Sequence, residues 1–312
     1  MSTKPQRYRV VLLTFMIRSF CMSRPVRLAM VHVLNKLESM FDRRADLLRL
    51  VDRAGREGAN VVVLPERADH HRTHEGIEAV EGGKEVVRRV LGMTAKSPWM
   101  IALADLAKKY RMCVVPCIVE VDGEKTWASS PVIGSGGEWL GKYEKTHLAP
   151  GEAHTLDPGR HLEPIDTPFG KLGIFTCYDI HFPEITRVYE LKDADILLWQ
   201  TMRHDRFERD FFTTALPARA MMHGLPLGVA TYATDDQKWR RSMWNSVIYD
   251  AFGQQVAGGM SPESAVVLGT VDLDCRPELP LAFDKVERFD FSRYLRPQRR
   301  VELYDVLLQP RS

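Results

Sequence analysis

A chain of 312 residues with 45% hydrophobic and 27% charged side chains has the composition of a globular protein, long enough for one large α/β domain or two ordinary ones. The formal net charge of +2 gives no strong field for nucleic acid or an anionic membrane surface, so neither is expected as a partner. Five cysteines at irregular spacing (Cys21, Cys113, Cys117, Cys177 and Cys275) do not make a disulfide framework, and the odd count points to a reducing, cytoplasmic compartment.

No run approaches the roughly 20 apolar residues of a membrane span. The nearest, residues 10–17, follows Lys4, Arg7 and Arg9 but lacks a clean small-residue cleavage site, and residues 1–25 read as an N-terminal extension. The regular pattern opens with a strand over 26–31. A helix over 41–58 carries Leu47, Leu48, Val51 and Ala54 at helical spacing and stops at Gly58. The β-branched run 59–64 then reads as a buried strand. The same order recurs at 102–110 and 113–119, at 185–191 and 194–198, and at 211–223 and 226–230. Turns at 121–124 and 250–253 imply hairpins, and 264–273 is a further strand. Helices alternating with strands and hairpins predict a layered α/β fold with mixed sheets. No linker divides residues 26–283, which read as one domain. The charged, aromatic segment 284–312 is expected to pack on that domain or on a partner subunit.

Three residues at strand ends carry candidate chemistry. Cys177 stands where the strand 171–176 meets a helix opened by Pro183; such a junction exposes a thiol to the positive helix end and favours thiolate. A lone cysteine is usually a small buried hydrophobe. Glu66 follows the strand 59–64, where partial burial would raise its pKa and suit it to general-base work. Lys145 ends a strand that begins near Trp139, and a lysine there can stabilise an oxyanion. Either charged residue alone is also an ordinary surface group.

Together, Val63-Leu64-Pro65-Glu66, Tyr143-Glu144-Lys145-Thr146-His147-Leu148 and Cys177-Tyr178-Asp179 with Phe182-Pro183-Glu184 resemble the nitrilase superfamily of carbon–nitrogen hydrolases. Weaker matches at 58–60, 218–220, 271–273 and 299–304 extend the resemblance over residues 26–305. It implies a four-layer α-β-β-α sandwich with two mixed β-sheets, a homodimer or higher homo-oligomer, and a Glu-Lys-Cys site without metal or other cofactor. In that reading Cys177 attacks the carbonyl of a small amide, Glu66 shuttles protons, and Lys145 and the Tyr178 N–H hold the oxyanion. Glu152, ahead of Asp157-Pro158-Gly159, matches a second glutamate that supports the lysine. His181 and Met202 are pocket candidates, and loops over 67–96 and 202–208 are expected to line the pocket.

The chain also departs from the family. Met222 and His223 stand where many members carry Glu-Asn, so support near the site must differ. His181 replaces an arginine typical of amidases that act on dicarboxylate monoamides. Glu144, in place of a basic residue, either pairs with Lys145 or faces solvent. Tyr178-Asp179 favours an amidase over a nitrilase or an N-carbamoyl hydrolase, which would use the same three residues. A catalytically weak member that binds a metabolite or protein is a further alternative. His70 and His74 have the i, i+4 spacing of a metal pair but lack a second ligand set. Cys113 and Cys117 suggest one packed strand face. Trp139, Trp199, Trp239 and Trp244 suggest core or pocket wall, and Arg296, Arg299 and Arg300 a solvated or interface face.

Overall fold

A computed structural model describes residues 23–34, 36–202, 211–233, 246–259, 263–281 and 287–309. The N-terminal run 10–17, Trp239, Trp244 and the loop 203–208 lie outside the described residues.

Alternation along single strands decides the layering. In β1 (Pro25–Leu34), Leu28 and Met30 enter one core while Ala29, Val31 and Val33 enter another. In β2 (Val61–Val63), Val61 and Val63 join the former and Val62 the latter. A strand apolar on both faces needs cover on both sides. β7 (Leu172–Thr176) and β8 (Ile196–Gln200) behave alike, with Leu172, Ile174, Ile196 and Leu198 in the shared core and Phe175, Leu197 and Trp199 in a third. The shared core is therefore the seam between two sheets.

Among the described residues the first sheet has eight strands. Its main path runs β10 (Tyr232–Ala233), β1, β2, β3 (Cys113–Val115), β5 (Lys125–Ile133), β4 (Ile118–Asp122), with β13 (Ala265–Asp272) added to β1 and β6 (Trp139–Glu144) to β5. β1, β2 and β3 are mutually parallel, and the β4–β5 hairpin turns at the expected place. The second sheet runs β12 (Gln255–Gly258), β11 (Val247–Tyr249), β9 (Leu227–Ala230), β8, β7, with β7, β8 and β9 parallel. Helix α1 (Met40–Arg56) is capped by Ser39, whose hydroxyl accepts from the Asp42 N–H, and buries Arg43, Leu47, Val51 and Ala54 as one stripe. It covers the first sheet together with α4 (Pro98–Tyr110). Gly55 lets the two helices meet, since a Cβ there would stand 2.2 Å from the Tyr110 ring. On the far side α5 (Pro183–Leu191) and α6 (Leu216–His223) cover the second sheet. This is the expected four-layer α-β-β-α sandwich.

Three elements differ from the sequence reading. The strand expected over 113–119 breaks at Pro116-Cys117, where proline offers no N–H; β3 stays with β2 while β4 pairs antiparallel with β5. Cys113 and Cys117 therefore do not share one strand face, although both are buried. The expected loop 67–96 contains α2 (His74–Glu81), capped by the Thr73 hydroxyl, and α3 (Lys84–Leu91). Their brevity and the Gly82-Gly83 break hide the helical period. The expected helix 211–223 is a π turn, Phe211–Ala215, followed by α6, whose first turn holds Pro217.

After the hairpin of β14 (Glu278–Leu281) and β15 (Glu287–Asp290), the short α7 (Phe291–Leu295) is capped by Asp290. Arg296 then binds Glu190 and Asp193 at the end of α5. Arg299 lies over the Tyr304 ring and Arg300 pairs with Glu302. Beyond Arg296 the tail leaves Val301, Leu303, Val306, Leu307 and Leu308 exposed. Trp199 is fully buried, and Trp139 packs half-buried on the core beneath α1 and α4.

Candidate active site

The ends of β2, β6, β7 and β8 converge on one buried cluster of charge. Past β2 the Leu64 N–H donates to the Val115 carbonyl, carrying Glu66 to the sheet edge. The Glu66 carbonyl accepts from the Tyr232 hydroxyl at 2.8 Å, and the following segment hangs from Arg43, whose Nη1 reaches the Ala68 and His71 carbonyls. The Glu66 side chain is fully buried. Its Oε1 accepts from Lys145 Nζ at 2.9 Å and its Oε2 from the Met202 N–H at 2.9 Å.

Lys145 extends the line of β6, its N–H donating to the Ala128 carbonyl. Its carbonyl accepts from the Gly159 N–H, and a Cβ at Gly159 would lie 2.2 Å from the Glu144 carbonyl oxygen, so only glycine permits this crossing. Nζ also reaches Glu152, 3.0 Å from Oε1 and 2.7 Å from Oε2. Glu152 Oε2 is fixed by the Ala149 N–H at 2.7 Å. Glu144 neither pairs with Lys145 nor faces solvent alone; it binds Lys142. Asp157 ties the loop between Glu152 and Gly159 to Lys84 and to the Thr126 N–H.

Cys177 is the first residue of a tight turn, Cys177–His181, and its φ of +46° lies in the left-handed region rarely used by a residue with a side chain. Its carbonyl accepts from the Trp199 indole at 3.2 Å, and Arg219 on α6 donates to the Ile180 carbonyl. Asp179 holds the turn. Its Oδ2 accepts from the Thr176 N–H (2.8 Å) and the Tyr143 hydroxyl (2.5 Å), its Oδ1 from Thr146 Oγ1 and the His147 N–H. One buried carboxylate thus ties the Cys177 turn in the second sheet to both flanks of Lys145 in the first.

Two electrostatic expectations are reversed. Burial pushes the Glu66 carboxyl up, but Lys145, then Arg67 and the Met202 N–H, outweigh it and leave the pKa below the usual carboxylate value. Burial likewise opposes the Lys145 charge, yet Glu66, Cys177 and Glu152 hold its pKa above the ordinary lysine value. The Cys177 thiol is raised well above its usual value by burial and then by the negative charge of Glu66, against the pull of Lys145. The turn is short and the carboxylates close, so no helix end supplies a resting thiolate. The resting site holds a neutral thiol, a carboxylate and an ammonium.

Glu66, Lys145, Glu152, Cys177 and Met202 come together as the sequence suggested. Tyr178 is half-buried, its ring edge against His181, while His181 itself is exposed rather than deep in the site. His70 binds Asp69 through Nδ1 and His74 opens α2; among the described residues no group of three or more metal-binding side chains gathers. His223 is buried with Nε2 3.0 Å from Thr186 Oγ1, so it joins α6 to α5; burial, then Arg187 and Arg219, push it down to about 3. The sequence reading missed Arg67, Arg43, Tyr232 and Gln200. Nothing but adjacency to Glu66 marks Arg67, and the others reach the site only through the fold.

The profile of the carbon–nitrogen hydrolase family matches residues 31–277, and the chain belongs to that family: it is a carbon–nitrogen hydrolase. It is 28% identical over 271 residues to omega-amidase NIT2 of Danio rerio, covering 82% of this chain and 88% of that protein. It is 32% identical to a nitrilase of Pyrococcus abyssi over 150 residues, 48% of this chain and 54% of that protein. Its fold matches a carbon–nitrogen hydrolase from Helicobacter pylori G27 with a TM-score of 0.69 at 19% identity, covering 92% and 99% of the two chains. An amidase mutant from Nesterenkonia sp. AN1, carrying the acetamide moiety of fluoroacetamide on its active-site cysteine, matches with a TM-score of 0.69 at 19% identity over 90% of this chain and 96% of that one.

Replacing Asp179 by alanine strands several buried donors and is expected to lower unfolding stability by about 3 kcal/mol or more in urea titrations. Ammonia release should fall roughly a hundredfold as Cys177 and Lys145 lose register. The carboxyl of Glu66 titrates lower in the folded chain than unfolded, so its stabilisation is complete above the unfolded value of about 4.3 and is lost as pH falls below it. The stability gap between wild type and Glu66→Gln should therefore be constant from pH 7 to 5 and narrow from pH 4 to 3. A gap that widens toward acid would overturn this assignment.

Proposed function

We propose that the protein hydrolyses a small amide to a carboxylate and ammonia or amine, with Cys177 as nucleophile. The observation that carries the reading is the buried Lys145 ammonium held between Glu66 and Glu152 beside the Cys177 thiol. As the thiol sulfur attacks the amide carbon, its proton passes to the neighbouring carboxylate of Glu66. The negative charge that leaves sulfur appears on the carbonyl oxygen, where Lys145 and the Tyr178 N–H stabilise it. Glu66 returns the proton to the departing nitrogen, leaving a thioester. It then takes a proton from water, which attacks the thioester carbon, and gives that proton back to sulfur. Lys145 stays protonated throughout, as its raised pKa requires.

The omega-amidase relatives and the amidase with an acetamide adduct on cysteine support an amide over a nitrile or carbamoyl substrate. Ammonia release is measured with small amides, nitriles and carbamoyl compounds. Amides should give the highest rates, and Cys177→Ala should abolish them. Release that survives this substitution would falsify the mechanism; rates highest on nitriles would replace the substrate class. Silence across the panel, with a ligand still raising the melting temperature, would favour a binding protein.

The tail beyond Arg296 supports self-association, because a row of exposed Val301, Leu303, Val306, Leu307 and Leu308 is costly in water. We infer a homodimer or higher homo-oligomer in which the tail packs on a partner subunit. Sedimentation should show a dimer or larger species that dissociates when residues 299–312 are deleted; a monomeric full-length chain would rule it out. Among the described residues no helix is long and apolar enough to cross a membrane. The odd count and irregular spacing of the cysteines support a cytoplasmic location.

A further inference from the structure

Arg67 directly follows Glu66 and has φ at +47°, a left-handed backbone costly for any residue with a Cβ. Its Nη2 lies 3.2 Å from Glu152 Oε1 and 3.6 Å from Met202 Sδ, and 13% of its side chain remains accessible. Glu152 Oε1 is shared between this guanidinium and Lys145 Nζ, and Lys145 in turn binds Glu66. The four groups form a row of alternating charge, Arg67–Glu152–Lys145–Glu66. Without Arg67, the other three would leave one excess negative charge beside a thiol that must itself become anionic.

We propose that Arg67 is a positioning residue of this site: it clamps Glu152, so that Lys145 is held against Glu66, and its charge favours the anionic forms of Glu66 and Cys177. The inference rests on reading Cys177 as the nucleophile. Arg67 also feels the charge of Cys177 and Cys117 directly. The other groups facing it keep one charge state near neutral pH. Burial, reinforced by Glu66, pushes the Cys117 thiol up to about 12, burial pushes His71 down to about 3, and burial raises the Tyr232 hydroxyl well above its usual value. Arg43, behind His71, is a permanent cation. On the other side of the Cys177 turn, His147 pairs with Asp179 and is common to every variant compared.

The test compares the rate of alkylation of Cys177 by iodoacetamide at about pH 9, read by peptide mass spectrometry so that the other cysteines do not interfere. Arg67→Met should lower the rate about tenfold, because less of the thiol is ionised. Arg67→Lys, which restores the charge without the planar fork, should bring it back toward wild type. Arg67→Gln carries the same expectation as Arg67→Met and serves if the methionine variant does not fold. A rate that does not fall in the neutral variants, or one that lysine fails to restore, would overturn the proposal. A merely structural arginine would lower the melting temperature without slowing alkylation. Separately, wild-type alkylation of Cys177 that leaves ammonia release intact would defeat the nucleophile assignment whatever Arg67 does.

Discussion

An ammonium with no access to water must be matched by negative charge at close range, or the chain around it cannot stay folded. Lys145 is such a group, fully buried between the carboxylates of Glu66 and Glu152. Neither carboxylate is its neighbour in sequence. The pairing therefore holds only if the ends of β2 and β6 and the loop bearing Glu152 arrive at one place. The rest of the architecture can be understood as the means of bringing them there.

Two ties accomplish this. Asp179 joins the Cys177 turn to the residues around Lys145 through Tyr143, Thr146 and His147. Gln200, which lies beside Thr176 in the second sheet, reaches across the seam and donates to the Leu64 and Val115 carbonyls of the first, at 2.8 and 3.0 Å. The strands that lead to Glu66 and to Cys177 are thus tied together just below those residues. Misplacing either by an ångström would cost heavily in rate, which is why such ties belong beneath a site of this kind.

The charge state at rest follows from the same burial. A thiolate at Cys177 would add a third negative charge beside Glu66 and Glu152, and burial together with Glu66 keeps the pKa of the thiol well above its usual value. In the mechanism we propose, proton transfer to Glu66 and attack on carbon occur together, and negative charge is delivered to the carbonyl oxygen instead of accumulating on sulfur. Such an arrangement favours a site active only when a carbonyl is in place. It also keeps Cys177 less reactive toward adventitious electrophiles than a free thiolate would be.

Local pattern was enough for most of the order of helices and strands, because alternation and helical period are properties of short segments; the four-layer class, and the choice of Glu66, Lys145, Cys177 and Glu152 as candidate site residues, rested on the resemblance of their motifs to a known family. The break at Pro116 and the helices within 67–96 were obscured because they are short and interrupted by glycine or proline. Only the tertiary structure decided the ionisation states, which depend on charges and burial contributed by distant segments: Glu66 falls where local reasoning raised it, and Cys177 rises where a helix end implied a fall. It alone also turned Arg67 from the first residue of a loop into a member of the charge row, since its partner Glu152 is distant in sequence and meets it only where the strand ends converge.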